Sequence, residues 1–134
     1  MSDAPQHEDR MAVDRSWTRK FRNALRGMGR GVTGESSFFA HFFVAAMVMT
    51  AAMALGADRT EWCLLWVAII GVLTTEMLNS ALERMAKAVS LEYCPHLRDA
   101  LDISSGAVLT AAIGAAVLGV VILGRLGLVA VGWW

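Results

Sequence analysis

The chain has little cysteine and no phosphate-loop glycine pattern, and each absence removes a class of function. Cys63 and Cys94 are its two cysteines. One opens an apolar run and the other lies beyond its far end, so they cannot bridge within one chain. No C-x-x-C pair and no His/Cys cluster of zinc spacing accompanies them. A disulfide scaffold and a structural zinc site are both excluded. No G-x-x-x-x-G-K-[ST] pattern occurs, so any nucleotide site must be of another kind. No internal repeat of about 20–50 residues is visible. The sequence is polar and charged through Arg30, unlike a cleavable signal peptide.

What remains is apolar. Of 134 residues, 56% are hydrophobic and 18% charged, too apolar a balance for one soluble domain of this length. Residues 1–14 are polar and read as a disordered tail. Over about 15–33, Trp17, Phe21, Ala24, Leu25 and Met28 recur at helical spacing among Arg15, Arg19, Arg22, Arg26 and Arg30. A basic amphipathic helix of this kind belongs on an anionic membrane surface. Phe38–Ala57 then runs twenty residues without a formal charge, His41 being its titratable group. That length crosses a hydrocarbon core of about 30 Å. Asp58-Arg59-Thr60-Glu61 predicts a tight turn into a second span over 62–83, entered at the interfacial Trp62. Leu91–Leu97, with Pro95, predicts the next connection. Residues 103–124 form a third charge-free span, where Gly106, Gly114 and Gly119 allow close helix approach. Residues 126–134 make a short tail. The expected fold is an all-α membrane protein, a surface helix followed by three transmembrane helices.

The charges orient it. Seven of the twelve Lys and Arg residues fall between Arg10 and Arg30, and Arg84, Lys87 and Arg98 flank the second connection. Arg59 and Arg125 alone lie elsewhere. This pattern predicts a multi-pass protein of the cytoplasmic membrane, N-terminus inside and C-terminus outside, with no nucleic-acid partner.

The stretch Glu76-Met77-Leu78-Asn79-Ser80-Ala81-Leu82-Glu83 organises the rest. Glu76 and Glu83 lie on nearly the same helix face, about 10 Å apart along the axis, with Asn79 and Ser80 between them. A carboxylate at mid-bilayer costs about 2.5–3.5 kcal/mol, and such residues are usually functional. Glu76 is fourteen residues past Trp62, so it lies roughly 21 Å from the outer surface, near the inner boundary. Glu35, Glu76, Asn79, Glu83, Glu92 and Asp102 all fall at that face. Carboxylates at this density invite a hard divalent cation, and Mg²⁺ is the cytoplasmic default. A Mg²⁺ site beside lipid suits chemistry between a soluble phosphate donor and a membrane alcohol. Taken singly, some of these residues have plainer readings. Glu35 could be a solvated helix-end residue, and Asp102 with Ser104 and Ser105 an N-cap turn. Glu83 with Lys87 could be an ordinary i,i+4 pair, and His41 a packed side chain. An ion or solute carrier would also use an intramembrane glutamate, but no repeat or broken helix supports one.

Six motifs carry a resemblance. They are Phe21-Arg22-Asn23-Ala24-Leu25-Arg26-Gly27, Gly34-Glu35-Ser36-Ser37-Phe38, Thr60-Glu61-Trp62, the Glu76–Glu83 stretch, Glu92-Tyr93, and Asp102-Ile103-Ser104-Ser105-Gly106-Ala107-Val108-Leu109. Together the chain resembles the small prokaryotic integral-membrane diacylglycerol kinase and undecaprenol kinase family, from about Phe21 to Gly124. The resemblance implies a homotrimer with active sites shared between subunits, ATP as co-substrate, and transfer of the γ-phosphoryl group to a lipid hydroxyl. By position it implies Glu76 as general base, Asn79 as support for the phosphate site, and Glu35 and Glu83 as Mg²⁺ ligands. It places Glu92, Tyr93 and Asp102 around the nucleotide.

The chain departs from the family pattern in four places. Phe39 replaces Arg, Lys87 replaces Asp, Leu101 replaces the Lys of a K-D pair, and Cys94 replaces His after Glu92-Tyr93. Losing the Lys removes a cation that balances phosphate charge, and Lys87, one turn from Glu83, is the available replacement. The competing expectation is a degenerate member that binds lipid or nucleotide without turnover. Retention of Glu35, Glu76, Asn79, Glu83 and Asp102 together favours activity. His41 and the Glu92-Tyr93-x-Pro95 run lean towards the undecaprenol-type branch.

Overall fold

The computed structural model describes residues 17–33, 36–89 and 94–133. Expectations for the 1–14 tail and for Glu35, Glu92 and Tyr93 lie outside the described residues. Four helices follow in order: α1 (Trp17–Val32), α2 (Ser36–Ala54), α3 (Arg59–Val89) and α4 (Pro95–Ala130). The chain divides into two units, Met1–Arg30 and Gly31–Trp134. In the first, Trp17, Phe21, Leu25 and Met28 of α1 share one helix face and are all more than half exposed. The Lys20 ammonium sits 5.1 Å from the Trp17 ring centroid, a cation–π contact.

In the second unit, α2, α3 and α4 are each long and apolar enough to cross a membrane. Many of their large side chains are bare, among them Phe43, Val67, Ile103 and Val120. Soluble proteins rarely leave so much contiguous apolar surface in water, whereas lipid accepts it at no cost. The chain leaves α2 earlier than the charge-free run suggests. Gly56 takes φ 74°, a left-handed conformation that other residues adopt only with strain. The turn is therefore Leu55–Asp58, and Asp58-Arg59-Thr60-Glu61 opens α3 instead of preceding it.

That opening is a capping box. Glu61 N donates to Asp58 Oδ1 and Asp58 N donates to Glu61 Oε2, both at 2.9 Å. Each bond satisfies a backbone donor that the first helical turn leaves without a partner. Asp58→Ala is expected to cost about 1 kcal/mol of stability. A thermal melt of the detergent-solubilised protein reads this as a lower Tm, and an unchanged Tm would show that the cap adds nothing.

Glu61 is buried and does a second job: its Oε1 accepts from Arg125 Nε at 3.2 Å and pairs with Nη2 of the same guanidinium. Arg125 therefore lies inside α4, and the expected tail over 126–134 is helical as far as Ala130. A charge ends an apolar run by composition, but it does not end a helix when a buried carboxylate receives it. Beside this junction Ala52, Leu65, Ile122 and Leu126 bury one another, with Val48, Trp62 and Leu118 packed against them. The core thus sits at the Asp58 end of the bundle.

At the other end α4 begins at Pro95, whose missing N–H and fixed φ suit the first helical position. Residues 95–97, expected within the connection, are helix, as are the residues up to the expected start of the span at 103, and Asp102 lies about two turns inside α4. That removes the N-cap reading of Asp102. Helix α3 has 31 residues and α4 has 36, against 19 in α2. At 1.5 Å per residue these are about 46, 54 and 28 Å, so α3 and α4 outrun a hydrocarbon core of about 30 Å while α2 matches it. Helix α3 packs mainly along α4, and α2 touches both less extensively. The last turns of α3 and the first of α4 together extend past the depth that α2 covers.

Candidate active site

The buried positions of α3 include Leu65, Val72, Glu76 and Ser80, at intervals that keep to one helix face. Glu76 thus occupies a position where leucine would be ordinary. It is 3% exposed, and Ser80, one turn on, is 2% exposed. Burying a carboxyl group is expensive unless a hydrogen bond meets it. The bond comes from α2: the Ser37 hydroxyl donates to Glu76 Oε1. Ser37 stands in the first turn of α2, next to the fully buried Phe38.

One turn along the same face, the Asn79 amide nitrogen donates to Glu83 Oε1 at 3.0 Å. The Ser104 hydroxyl of α4 reaches Asn79 Oδ1 at 2.6 Å and also lies 2.9 Å from the Leu101 carbonyl. Glu83 does not pair with Lys87 in the described structure; its carboxylate accepts from Asn79 instead. Glu83, Lys87, Leu101, Asp102 and Ser105 line a cleft of about 460 Å³ between α3 and α4. Asp102 is also 3.9 Å from Arg98, but both side chains are mostly exposed, so this pair contributes little. Nearby, Arg84 Nη2 donates to the Thr33 carbonyl at 3.2 Å.

Two chemical environments therefore share one face of α3. Glu76 is dry and held by a hydroxyl that another hydroxyl could replace. Glu83 borders an open cleft with a second carboxylate and an ammonium. Among the described residues no three Asp, Glu, His or Cys side chains gather round one point as a metal cage. Mg²⁺ needs none: it takes one or two carboxylates and completes its shell with water and phosphate oxygens. Glu83 and Asp102 at an open cleft match that demand.

Of the residues singled out by sequence, the structure brings Asn79 to Glu83, and Glu83, Lys87 and Asp102 to one cleft. Glu76 is not among the cleft-lining residues and bonds to α2 instead. His41 lines a separate apolar groove of about 720 Å³ between α2, α3 and α4, with Val44, Val72 and Gly119 among its neighbours there. Sequence reasoning missed Ser37 and Ser104 as partners of Glu76 and Asn79. Their bonds span 39 and 25 residues, and nothing local signals them. It also missed Asp58 with Glu61, for which a signal existed, since D-x-x-E ahead of an apolar run is a capping pattern.

The profile of the prokaryotic diacylglycerol kinase family matches residues 22–123. An undecaprenol kinase of Bacillus subtilis is 26% identical over 104 residues, 78% of this chain and 85% of that protein. A diacylglycerol kinase of Synechocystis is 33% identical over 100 residues, 74% of this chain and 57% of that protein. The family match takes in every residue of the α3–α4 cleft and the Ser37–Glu76 pair. The chain belongs to the prokaryotic diacylglycerol kinase family.

Proposed function

We propose that this protein is a lipid kinase that transfers the γ-phosphoryl group of ATP to the hydroxyl of a membrane lipid, diacylglycerol or undecaprenol. The observation that carries this reading is the division of labour along α3. A buried carboxyl group at membrane depth stands seven residues from a carboxylate at a charged, open cleft. A lipid alcohol can reach the first and a soluble polyphosphate the second. Phosphoryl transfer asks little covalent chemistry of a protein; it asks for positioning and charge neutralisation.

In this proposal Glu76 accepts the proton of the lipid hydroxyl, which takes the place of the Ser37 hydroxyl. Asn79 and Glu83 hold the phosphate end, with Lys87 and Asp102 on either side of the cleft. Glu35, Glu92 and Tyr93 belong to the nucleotide site by resemblance. Glu83, with Glu35 by resemblance and Asp102 across the cleft, would hold Mg²⁺, which would neutralise phosphate charge. By resemblance the working unit is a homotrimer. It lies in the cytoplasmic membrane with its N-terminus inside, an orientation that the distribution of Lys and Arg supports.

The test is ADP release by the purified full-length protein in micelles with MgATP, with diacylglycerol and undecaprenol offered separately. Lipid-dependent release with one of them identifies the acceptor class. MgATP binding without release on either lipid would overturn the kinase reading in favour of a degenerate nucleotide-binding member. The presence of Leu101 at the cleft, where a cation is expected by resemblance, makes that outcome worth naming.

A further inference from the structure

We infer that Ser104 is a positioning residue for the phosphate site: its hydroxyl anchors the Asn79 side chain to α4 and so fixes how Glu83 is presented to the cleft. The inference rests on the kinase reading above for its meaning but on geometry for its content.

A helical serine or threonine commonly donates to a carbonyl three or four residues back. Thr110 does so to Gly106 and Thr50 to Ala46, both at 2.8 Å. Ser104 has that option at Leu101, yet its shorter contact crosses to another helix, at Asn79 Oδ1. The residue is 8% exposed, so water does not compete freely for the hydroxyl. A carboxamide has an accepting end and a donating end. With Oδ1 held by Ser104, the NH₂ end is left for Glu83, where it donates to Oε1. The reversed amide would set Oδ1 against a carboxylate oxygen, acceptor against acceptor. Glu83, which only accepts, fixes which end of the amide faces it, and the Ser104 hydroxyl on α4 anchors the other end, so the Asn79 side chain is held between two helices with its NH₂ on one oxygen of Glu83.

Alanine at 104 removes the anchor on α4. The Asn79 side chain is then held from one end only, and Glu83 loses a fixed donor. Threonine keeps the hydroxyl. The expected consequence is a change in how tightly the cleft holds a metal–nucleotide complex, with less change in turnover at saturation.

The experiment measures Mn²⁺ binding in the presence of ADP, counted by electron paramagnetic resonance on the full chain in micelles. Alongside it, the Mg²⁺ concentration for half-maximal ADP release is determined. Ser104→Ala is expected to weaken Mn²⁺–ADP binding and raise the Mg²⁺ requirement by about tenfold, the usual scale for one buried hydrogen bond to a polar network. Ser104→Thr is expected to stay near the parent protein. Thr110→Val, which loses a hydroxyl bonded within its own helix, is expected to change neither reading. If Ser104→Ala lowers Tm while Mn²⁺–ADP binding and the Mg²⁺ requirement hold, Ser104 only packs and the inference is overturned. If the parent binds Mn²⁺–ADP but shows no lipid-dependent turnover, the kinase reading fails and the Ser104 inference is still decided by the binding series. A parent that does not bind Mn²⁺–ADP at all overturns both.

Discussion

Glu76→Gln is expected to lower lipid-dependent ADP release by about 10²–10⁴-fold, the range that general-base catalysis supplies. The amide keeps an oxygen to accept from Ser37, so the contact between α2 and α3 survives the change. What the amide cannot do is take up a proton. Nucleotide binding at the Glu83 cleft is expected to persist, because Glu76 is not among the residues lining it. A second substitution separates function from stability. Glu76 is 3% exposed on a face otherwise formed by residues such as Leu65 and Val72. Glu76→Leu is therefore expected to be inactive yet to melt no lower than the parent, since it removes the desolvation cost of a buried carboxyl group. Ser37 is exposed, so water is available to its hydroxyl. Glu76→Gln turnover within a few-fold of the parent would move the proton acceptor elsewhere and leave Glu76 a structural residue.

The same residue shows how far periodicity alone carries. Three apolar runs, separated by charged connections, were legible as three helices because length and absence of charge decide what a bilayer accepts. The face shared by Glu76, Asn79 and Glu83 was legible because helical geometry is local. The plain pairing of Glu83 with Lys87 was equally local in origin, and it is not what forms: the amide of Asn79, four residues back as Lys87 is four residues on, takes the carboxylate. The helix ends were less legible. Pro95 reads as a break but serves as a first turn, and Arg125 reads as an end but answers Glu61 from 64 residues away. Interhelical partners such as Ser37 and Ser104 depend on which helices meet and at what height, and no spacing rule within one helix contains that.

Lys87 carries the second large expectation. Among the described residues, the cleft it lines with Glu83 and Asp102 has no other cation in its lining, and Leu101, across from it on α4, brings no charge. A nucleoside triphosphate entering such a cleft adds negative charge to two carboxylates, and a divalent metal offsets only part of it. Lys87 stands one turn beyond Glu83 on α3 and is exposed, so its long stem is free to follow a ligand. Lys87→Ala is expected to raise KM for MgATP by about tenfold or more, the scale of a lost charge-assisted bond, with no fall in Tm, since an exposed side chain holds little of the fold. Steady-state kinetics at saturating lipid reads the first, and a thermal melt the second. The decisive variant is the double substitution. Because Leu101 borders the same cleft, Leu101→Lys in the Lys87→Ala background moves the cation from α3 to α4 without changing the count, and it is expected to recover most of the lost affinity. If Lys87→Ala leaves KM unchanged, the phosphate charge is balanced by something other than this lysine, and the cleft has no need of a cation at either position.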